Sequence, residues 1–318
     1  MPTVTILDDY QGVALTSADW SAVSRDYTVD VIGEHIADHT ALVARLRHSE
    51  VVVAMRERTP FPAALLEALP ALRLLITTGP VNASIDLAAA ASAGVTVCGT
   101  GGSGNAMPEL VIGMIIALTR NFAQEDAAVR AGGWQHTIGP GLFGSTLGVV
   151  GLGRLGTPVA TLAQAFGMSV IAWSPHLTAD RAAEHGVRAV PKAELFGESD
   201  VITVHVPLAD GTRGMVGADD IAMMKRTAYL VNTSRGPVVD QSALVAVLRE
   251  NRIAGAGLDV YDTEPLPVDD PLRSLPNTLL LPHIGYVTTD AYRVFYRHAV
   301  EDILAFDAGA PIRVLSPI

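Results

Sequence analysis

Over the first hundred residues, short runs rich in Val, Ile and Leu alternate with longer stretches rich in Ala and Leu. The runs at 3–9 (TVTILDD), 50–55 (EVVVAM), 72–78 (LRLLITT) and 94–99 (GVTVCG) are expected strands, with helices between them near 40–48, 61–69 and 85–93. Strands that alternate with helices imply a parallel sheet with helices on its faces. The glycine-rich stretch GGSGNAMPEL then leads into a long apolar run, which predicts a linker and a buried helix from about 106 to 121. A second alternating series follows, with strands expected at 145–150, 168–173, 200–204, 228–232, 255–259 and 278–281. Near-continuous apolar runs suit strands covered on both faces, and six of them with intervening helices match a doubly wound nucleotide-binding sheet. From about 288 the tail reads as a helix with Tyr292, Phe295, Tyr296, Ala299, Ile303 and Phe306 on one stripe.

A length of 318 residues fits about two domains, and 49% apolar against 17% charged residues is ordinary globular composition. The net charge of −11 disfavours nonspecific binding to nucleic acid or to anionic membrane. The single cysteine, Cys98, excludes an internal disulfide framework and reads as a small buried residue. The longest apolar run, 110–118, is half of what a bilayer span needs, and no basic segment precedes the first strand. A cytoplasmic protein is therefore expected, with no membrane partner.

Four stretches carry candidate chemistry. In TLGVVGLGRLG a strand runs into Gly151-x-Gly153-x-x-Gly156, with Arg154 and Leu155 inside the pattern and a helix expected beyond it. Gly151 permits the tight turn, Gly153 lets backbone approach a pyrophosphate, and Gly156 lets helix pack on strand. The helix offers its unpaired N–H groups to the phosphates. About 20 residues beyond such a pattern an acid usually holds the ribose hydroxyls. Here that place falls to Ser174, with no acid between 169 and 179.

The second stretch, YLVNTSRGPVVD, ends a strand at Asn232 and continues into Thr233 and Arg235, whose planar fork suits a carboxylate. The third, GAGLDVYDTEPLP, offers Asp259, Asp262 and Glu264 for acid/base work. The fourth, NTLLLPHIGYVTTD, places His283 just past an apolar strand. Ligands of open α/β sheets bind at such carboxyl ends. His205 and Pro207, in HVPL, follow another strand and read as packing or as a cofactor edge.

In this order, LGVVGLGRLG, DVITVHVPL, LVNTSRGPVVD, GLDVYDTEPLP and LPHIG resemble the D-isomer-specific 2-hydroxyacid dehydrogenase family, which includes phosphoglycerate dehydrogenases and glyoxylate/hydroxypyruvate reductases. The resemblance spans essentially the whole chain. It implies a Rossmann dinucleotide-binding domain at 101–286 and a smaller flavodoxin-like α/β substrate domain at 1–100 with 287–318. It also implies an NAD(P)-dependent enzyme that interconverts a small 2-oxo acid and its D-2-hydroxy acid. Arg235 then matches the arginine that holds the substrate, His283 the acid/base residue and Glu264 its carboxylate partner. Asp259 matches an aspartate that faces the nicotinamide carboxamide. Gly151, Gly153, Arg154, Leu155, Gly156, Ser174, His205, Pro207 and Thr233 complete the implied cofactor set. The resemblance further implies a homodimer built through about 105–145, and the chemistry needs no metal.

Two departures bear on specificity. The family's Gly-x-Gly substrate loop is here TGPVNASID, in which Pro80 has no N–H to donate. Gly79 remains, and substrate anchoring is expected to use the N–H of Val81 or Asn82, or the Asn82 side chain. At Ser174 no carboxylate repels a 2′-phosphate, so either NAD or NADP is admissible. His176 and Arg181 are the nearby cationic candidates. Two alternative functions stand beside the dehydrogenase. One is a dinucleotide-sensing binding protein resembling corepressors of this fold. The other is a formate-dehydrogenase-like enzyme, although those relatives carry Gln in place of Glu264.

Overall fold

The computed structural model describes residues 1–317 apart from Ser103 and Asn105, so two positions of the expected linker lie outside the described residues. Internal packing divides the chain into two compact units, Met1–Gly104 with Val287–Ile318, and Asn105–Tyr286.

The first unit is built on a parallel sheet of five strands: β1 (Thr3–Ile6), β2 (Thr28–Val31), β3 (Ser49–Ala54), β4 (Leu74–Thr77) and β5 (Thr96–Gly99). Their order is β2-β1-β3-β4-β5, the flavodoxin-like arrangement. β3 and β4 are buried along nearly their whole length, as their unbroken apolar runs require. The patterning did not predict β2. Its sequence, TVDV, is short, carries an acid and lies at the sheet edge half-exposed, so it gives no clear apolar run.

The helix Thr289–Asp307 packs against this sheet through the expected stripe, with Tyr292, Phe295, Tyr296, Ala299 and Ile303 buried. Asp302 is fully buried beside that stripe. Its Oδ1 accepts from Arg313 Nε at 2.9 Å, while Oδ2 has no hydrogen-bond partner. Arg313 belongs to a terminal segment that pairs antiparallel with β5 through Val314 and Cys98. Cys98 is buried, and burial pushes its thiol up to about 12, in keeping with a packing residue.

The second unit carries a seven-stranded parallel sheet: β6 (Thr146–Val150), β7 (Ser169–Trp173), β8 (Arg188–Ala189), β9 (Val201–Val204), β10 (Tyr229–Asn232), β11 (Gly255–Leu258) and β12 (Thr278–Leu280). The order is β12-β11-β10-β9-β6-β7-β8, a doubly wound Rossmann sheet whose direction reverses between β6 and β9. Six of the seven strands lie where the apolar runs placed them. The seventh, β8, is two residues long at an edge and too short to leave a pattern.

The expected helix is Ala106–Thr119, ending two residues early, and it packs on β10, β11 and β12. Gly257 makes that approach possible, because a Cβ there would stand 2.7 Å from Leu118 Cδ1. A further helix, Phe122–Arg130, was not predicted. It buries no side chain, and the left-handed Asn121 separates it from the preceding helix. Among the described residues no single helix is long and apolar enough to cross a membrane, although these two, bent by 61°, pass together by length and composition alone.

Burial pushes the Asp302 carboxyl up to about 7, with Glu301 adding to the rise and Arg313 opposing it. An unfolded aspartate titrates near 3.9. The protonated carboxyl therefore stabilises the fold fully below about pH 4, and that contribution is lost as pH rises through about 7. Asp302→Asn, which cannot ionise, should shrink the fall in melting temperature between pH 5 and pH 8. A fall as large as in the wild type would contradict this account.

Candidate active site

Strands β10, β11 and β12 are adjacent and parallel, so the loops leaving their carboxyl ends stand side by side. In the first loop the buried Asn232 acts as a staple. Its Oδ1 accepts from Ser234 N and its Nδ2 donates to Arg235 O, both at 3.0 Å. Ser234 Oγ donates to Val206 O, and Arg235 Nη1 donates to Ser234 O at 2.7 Å. Gly236 is required here because a Cβ would lie 2.0 Å from the carbonyl carbon of Tyr261 in the next loop.

That second loop presents Glu264. Its Oε1 accepts from Tyr261 N at 2.9 Å, and its Oε2 lies 2.6 Å from Nδ1 of His283 in the third loop. The Tyr261 hydroxyl lies 3.1 Å from Leu258 O and 2.9 Å from Leu281 O, which ties the second loop to the third. His283 itself is left-handed, with φ +55°. Such a backbone is uncommon outside glycine and persists where its surroundings hold it. The holding group is Asp259, whose Oδ1 accepts from Ile284 N at 2.7 Å and whose Oδ2 accepts from Gly285 N at 2.9 Å. The Tyr286 ring closes on His283 edge-on at 5.8 Å.

The electrostatics follow this geometry. Burial alone would raise the Glu264 carboxyl. The hydrogen bond and charge of His283, the Tyr261 N–H and the Arg235 charge outweigh it, and hold Glu264 below the usual range. Asp259 is pushed up by burial, against the pull of the Ile284 and Gly285 N–H groups and of His283. The three carboxylates offered by the sequence thus separate. Glu264 meets His283, Asp259 braces the backbone beneath it, and Asp262 is exposed.

The glycine loop stands at the reversal of strand order. Gly151 has φ +101°, and a Cβ there would lie 3.0 Å from the carbonyl carbon and oxygen of His205. A Cβ on Gly156 would lie 2.1 Å from Gly151 O, so the helix Gly156–Ala165 packs hard against the turn. Gly153 faces open space, with nothing within 4 Å of a Cβ, and Arg154 beside it is exposed. Leu155, the N-cap, gives the first turn no side-chain acceptor. An open backbone surface before uncapped N–H groups is what a dinucleotide pyrophosphate requires, so these residues fit that cofactor.

Ser174 directly follows β7 and is half-buried, while His176 and Arg181 are exposed. His205 backs the turn. Its Nε2 lies 2.9 Å from Thr203 Oγ1, and burial lowers the ring to about 4, leaving it neutral. Pro207 is exposed beyond it, and the buried Thr233 Oγ1 lies 3.4 Å from Met107 Sδ.

In the first unit, the TGPVN loop has used up several of its polar groups. Gly79 N donates to Thr100 Oγ1 at 2.7 Å. Asn82 Nδ2 donates to Arg56 O at 2.7 Å and to Thr77 Oγ1 at 2.9 Å, while its Oδ1 accepts from Ser84 N at 2.8 Å. The Asn82 amide therefore has no spare N–H, contrary to the expectation that it could anchor substrate. Val81 is the exposed apex, at 66%. Arg56 lies against Gly79, where a Cβ would fall 1.7 Å from Nη1, and AMRERTP carried no signal of that contact.

A family model described as D-isomer specific 2-hydroxyacid dehydrogenase, NAD binding domain, matches residues 112–285. The chain belongs to this family. It is 37% identical over 88% of its length to a glyoxylate reductase from Korarchaeum cryptofilum, covering 83% of that protein. It is 33% identical over 89% of its length to a D-3-phosphoglycerate dehydrogenase from Bacillus subtilis, of which it spans only 54%. Among solved structures, a phosphoglycerate oxidoreductase from Vibrio cholerae matches with a TM-score of 0.92 and 38% identity, covering 98% of this chain and 100% of that one.

The family's glycine pattern yields a paired prediction. Gly153→Val points into open space, so it should fold with an unchanged melting temperature yet weaken NADH binding at least about tenfold by blocking backbone approach. Gly156→Val collides with the Gly151 carbonyl and should lower the melting temperature. Equal binding of NADH by wild type and Gly153→Val, read by fluorescence titration, would contradict the cradle.

Proposed function

We propose that this protein is an NAD(P)-dependent dehydrogenase that interconverts a small 2-oxo acid and its D-2-hydroxy acid, with His283 as acid/base. The observation that carries the reading is the 2.6 Å contact between Glu264 Oε2 and His283 Nδ1, beside Arg235 on a neighbouring loop. With Nδ1 committed to the carboxylate, Nε2 is the ring nitrogen that exchanges a proton with substrate.

The bound cofactor supplies or accepts the hydride. His283 donates the proton that a developing alkoxide needs during reduction, and takes it back in the reverse direction. Glu264 stabilises the imidazolium and fixes the ring plane. Arg235 holds the substrate carboxylate and polarises its carbonyl, assisted by the exposed Val81 end of the TGPVN loop. The cofactor set proposed is Gly151, Gly153, Arg154, Leu155, Gly156, Ser174, His205, Pro207 and Thr233. Asp259 contributes by bracing the His283 loop at the nicotinamide end. The half-buried Ser174 leaves a 2′-phosphate unopposed, so NADPH is admitted beside NADH.

A homodimer, in the cytoplasm, completes the proposal. The segment after the buried helix leaves large apolar side chains in water, with Trp134 75% and Phe143 89% exposed. Large apolar side chains left exposed along one short segment support an association site. Sedimentation velocity distinguishes such a dimer from a 33.4 kDa monomer.

The enzymatic reading is tested by a paired assay of NADH and NADPH over glyoxylate, hydroxypyruvate, pyruvate and phenylpyruvate. One of them should be reduced, and His283→Ala should lower kcat by about 10²-fold or more with NADH binding retained. Undiminished turnover in that variant would remove His283 from its role.

A further inference from the structure

The chain leaves the first unit just past β5, whose last residue is Gly99. Three successive N–H groups of this exit find partners of two kinds. Gly99 N donates to Arg313 O at 3.0 Å, and Thr100 N donates to Gly79 O at 2.9 Å. Gly101 N donates instead to a side chain, Nδ1 of His298 on the helix Thr289–Asp307, at 2.9 Å. The first two acceptors are carbonyl oxygens, which keep their lone pairs at any ordinary pH. The third is an imidazole nitrogen, which accepts only while it carries no proton. A backbone N–H can only donate, so this contact requires neutral His298 to hold its proton on Nε2.

The exit is pressed onto the helix as well as bonded to it. A Cβ on Gly101 would stand 2.9 Å from His298 Cε1 and 3.2 Å from both His298 Nδ1 and Val294 Cγ1, so the approach needs glycine. The backbone of His298 is pinned in turn, because Arg313 Nη2 donates to its carbonyl oxygen at 3.0 Å. The same guanidinium reaches Asp302 Oδ1 and Glu301 Oε2, each at 2.9 Å. The charged groups about the ring are therefore Arg297, Glu301 and Asp302 of its own helix and Arg313 of the terminal segment. Burial holds the ring below its ordinary 6.5, the charges of Arg313 and Arg297 add to that, and Glu301 opposes it. A proton on Nδ1 would set one N–H against another, and the contact to Gly101 could not survive it.

We propose that His298 is a pH-operated latch on the exit of the first unit: the neutral ring holds Gly101 against the helix, and protonation of Nδ1 releases it. The latch lies wholly within the first unit and does not depend on the reaction proposed above. A histidine whose folded titration lies below its unfolded one stabilises the fold fully above the unfolded value, near 6.5. That contribution is lost as pH falls through the lower, folded value. Acid thereby frees the chain where it departs from β5.

The test follows amide exchange at Gly101, corrected for intrinsic rates, in protein labelled with nitrogen-15 glycine, between pH 7.5 and pH 4.5. In the wild type, protection of Gly101 should fall about 3- to 10-fold, as expected for losing one hydrogen bond. The midpoint should lie below 6.5 and match the titration of the His298 ring followed by its own resonances. His298→Gln offers a carbonyl acceptor that does not titrate and should hold the protection across the range. His298→Phe, which offers no acceptor, should show the low value at every pH. Both variants keep Asp302, so any change that its own titration near 7 produces appears in them too and is subtracted.

Protection of Gly101 constant within twofold in the wild type overturns the proposal. So does a fall in His298→Gln as large as in the wild type. Nitrogen-15 shifts of the ring provide a measurement that needs no variant. A bare Nδ1 in neutral His298 sustains the latch, and a proton on Nδ1 overturns it.

Discussion

The hydrogen bond between Glu264 Oε2 and His283 Nδ1 sets the requirements that three loops have to meet. A histidine at φ +55° does not stay there by local preference, and the buried Asp259 supplies the restraint by taking the two N–H groups that follow it. Glu264 is held from its other oxygen by Tyr261 N, and the Tyr261 hydroxyl reaches back to the strand that delivers His283. The pair therefore rests on backbone contacts from two strands. A charge-assisted hydrogen bond of this kind contributes roughly 1.5–3 kcal/mol. That is enough to select one tautomer and one ring orientation.

The same economy governs the glycine positions of the second unit. Gly236 exists because Tyr261 passes against it, and Gly156 because the Gly151 carbonyl does. Of the three glycines in GLGRLG, Gly153 faces open space, and it is the position at which a pyrophosphate would meet backbone. Glycines that solve packing and a glycine that serves a ligand thus stand two to three residues apart in GLGRLG, and only the space around each tells them apart.

Much of this was legible in the chain because the signals were local. Apolar runs located β3, β4 and six strands of the larger sheet, and strand ends marked Arg235, Glu264 and His283 for one edge. Edge strands escaped notice, since β2 and β8 bury too little to need an apolar run. The helix Phe122–Arg130 escaped for the same reason, burying nothing within the chain. Side chains whose partners lie far off in sequence were also hidden. The arrangement of Asn82 around Arg56 O and Thr77 Oγ1, or of Arg58 over Tyr10, depends on strand order that no short window carries. Spacing alone left Asp259, Asp262 and Glu264 as three acids in one loop; the family resemblance singled out Glu264 and Asp259, and the hydrogen bonds give each its place.

The central claim is that Glu264 holds the proton of His283 at Nδ1 and thereby assigns Nε2 to substrate. Nitrogen-15 spectroscopy of the histidine rings in the folded protein measures this directly. At a pH where the imidazole is neutral, the account predicts that His283 carries its proton on Nδ1, and that Glu264→Gln shifts the tautomer balance. A His283 ring protonated on Nε2 with a bare Nδ1, unchanged in Glu264→Gln, would contradict it.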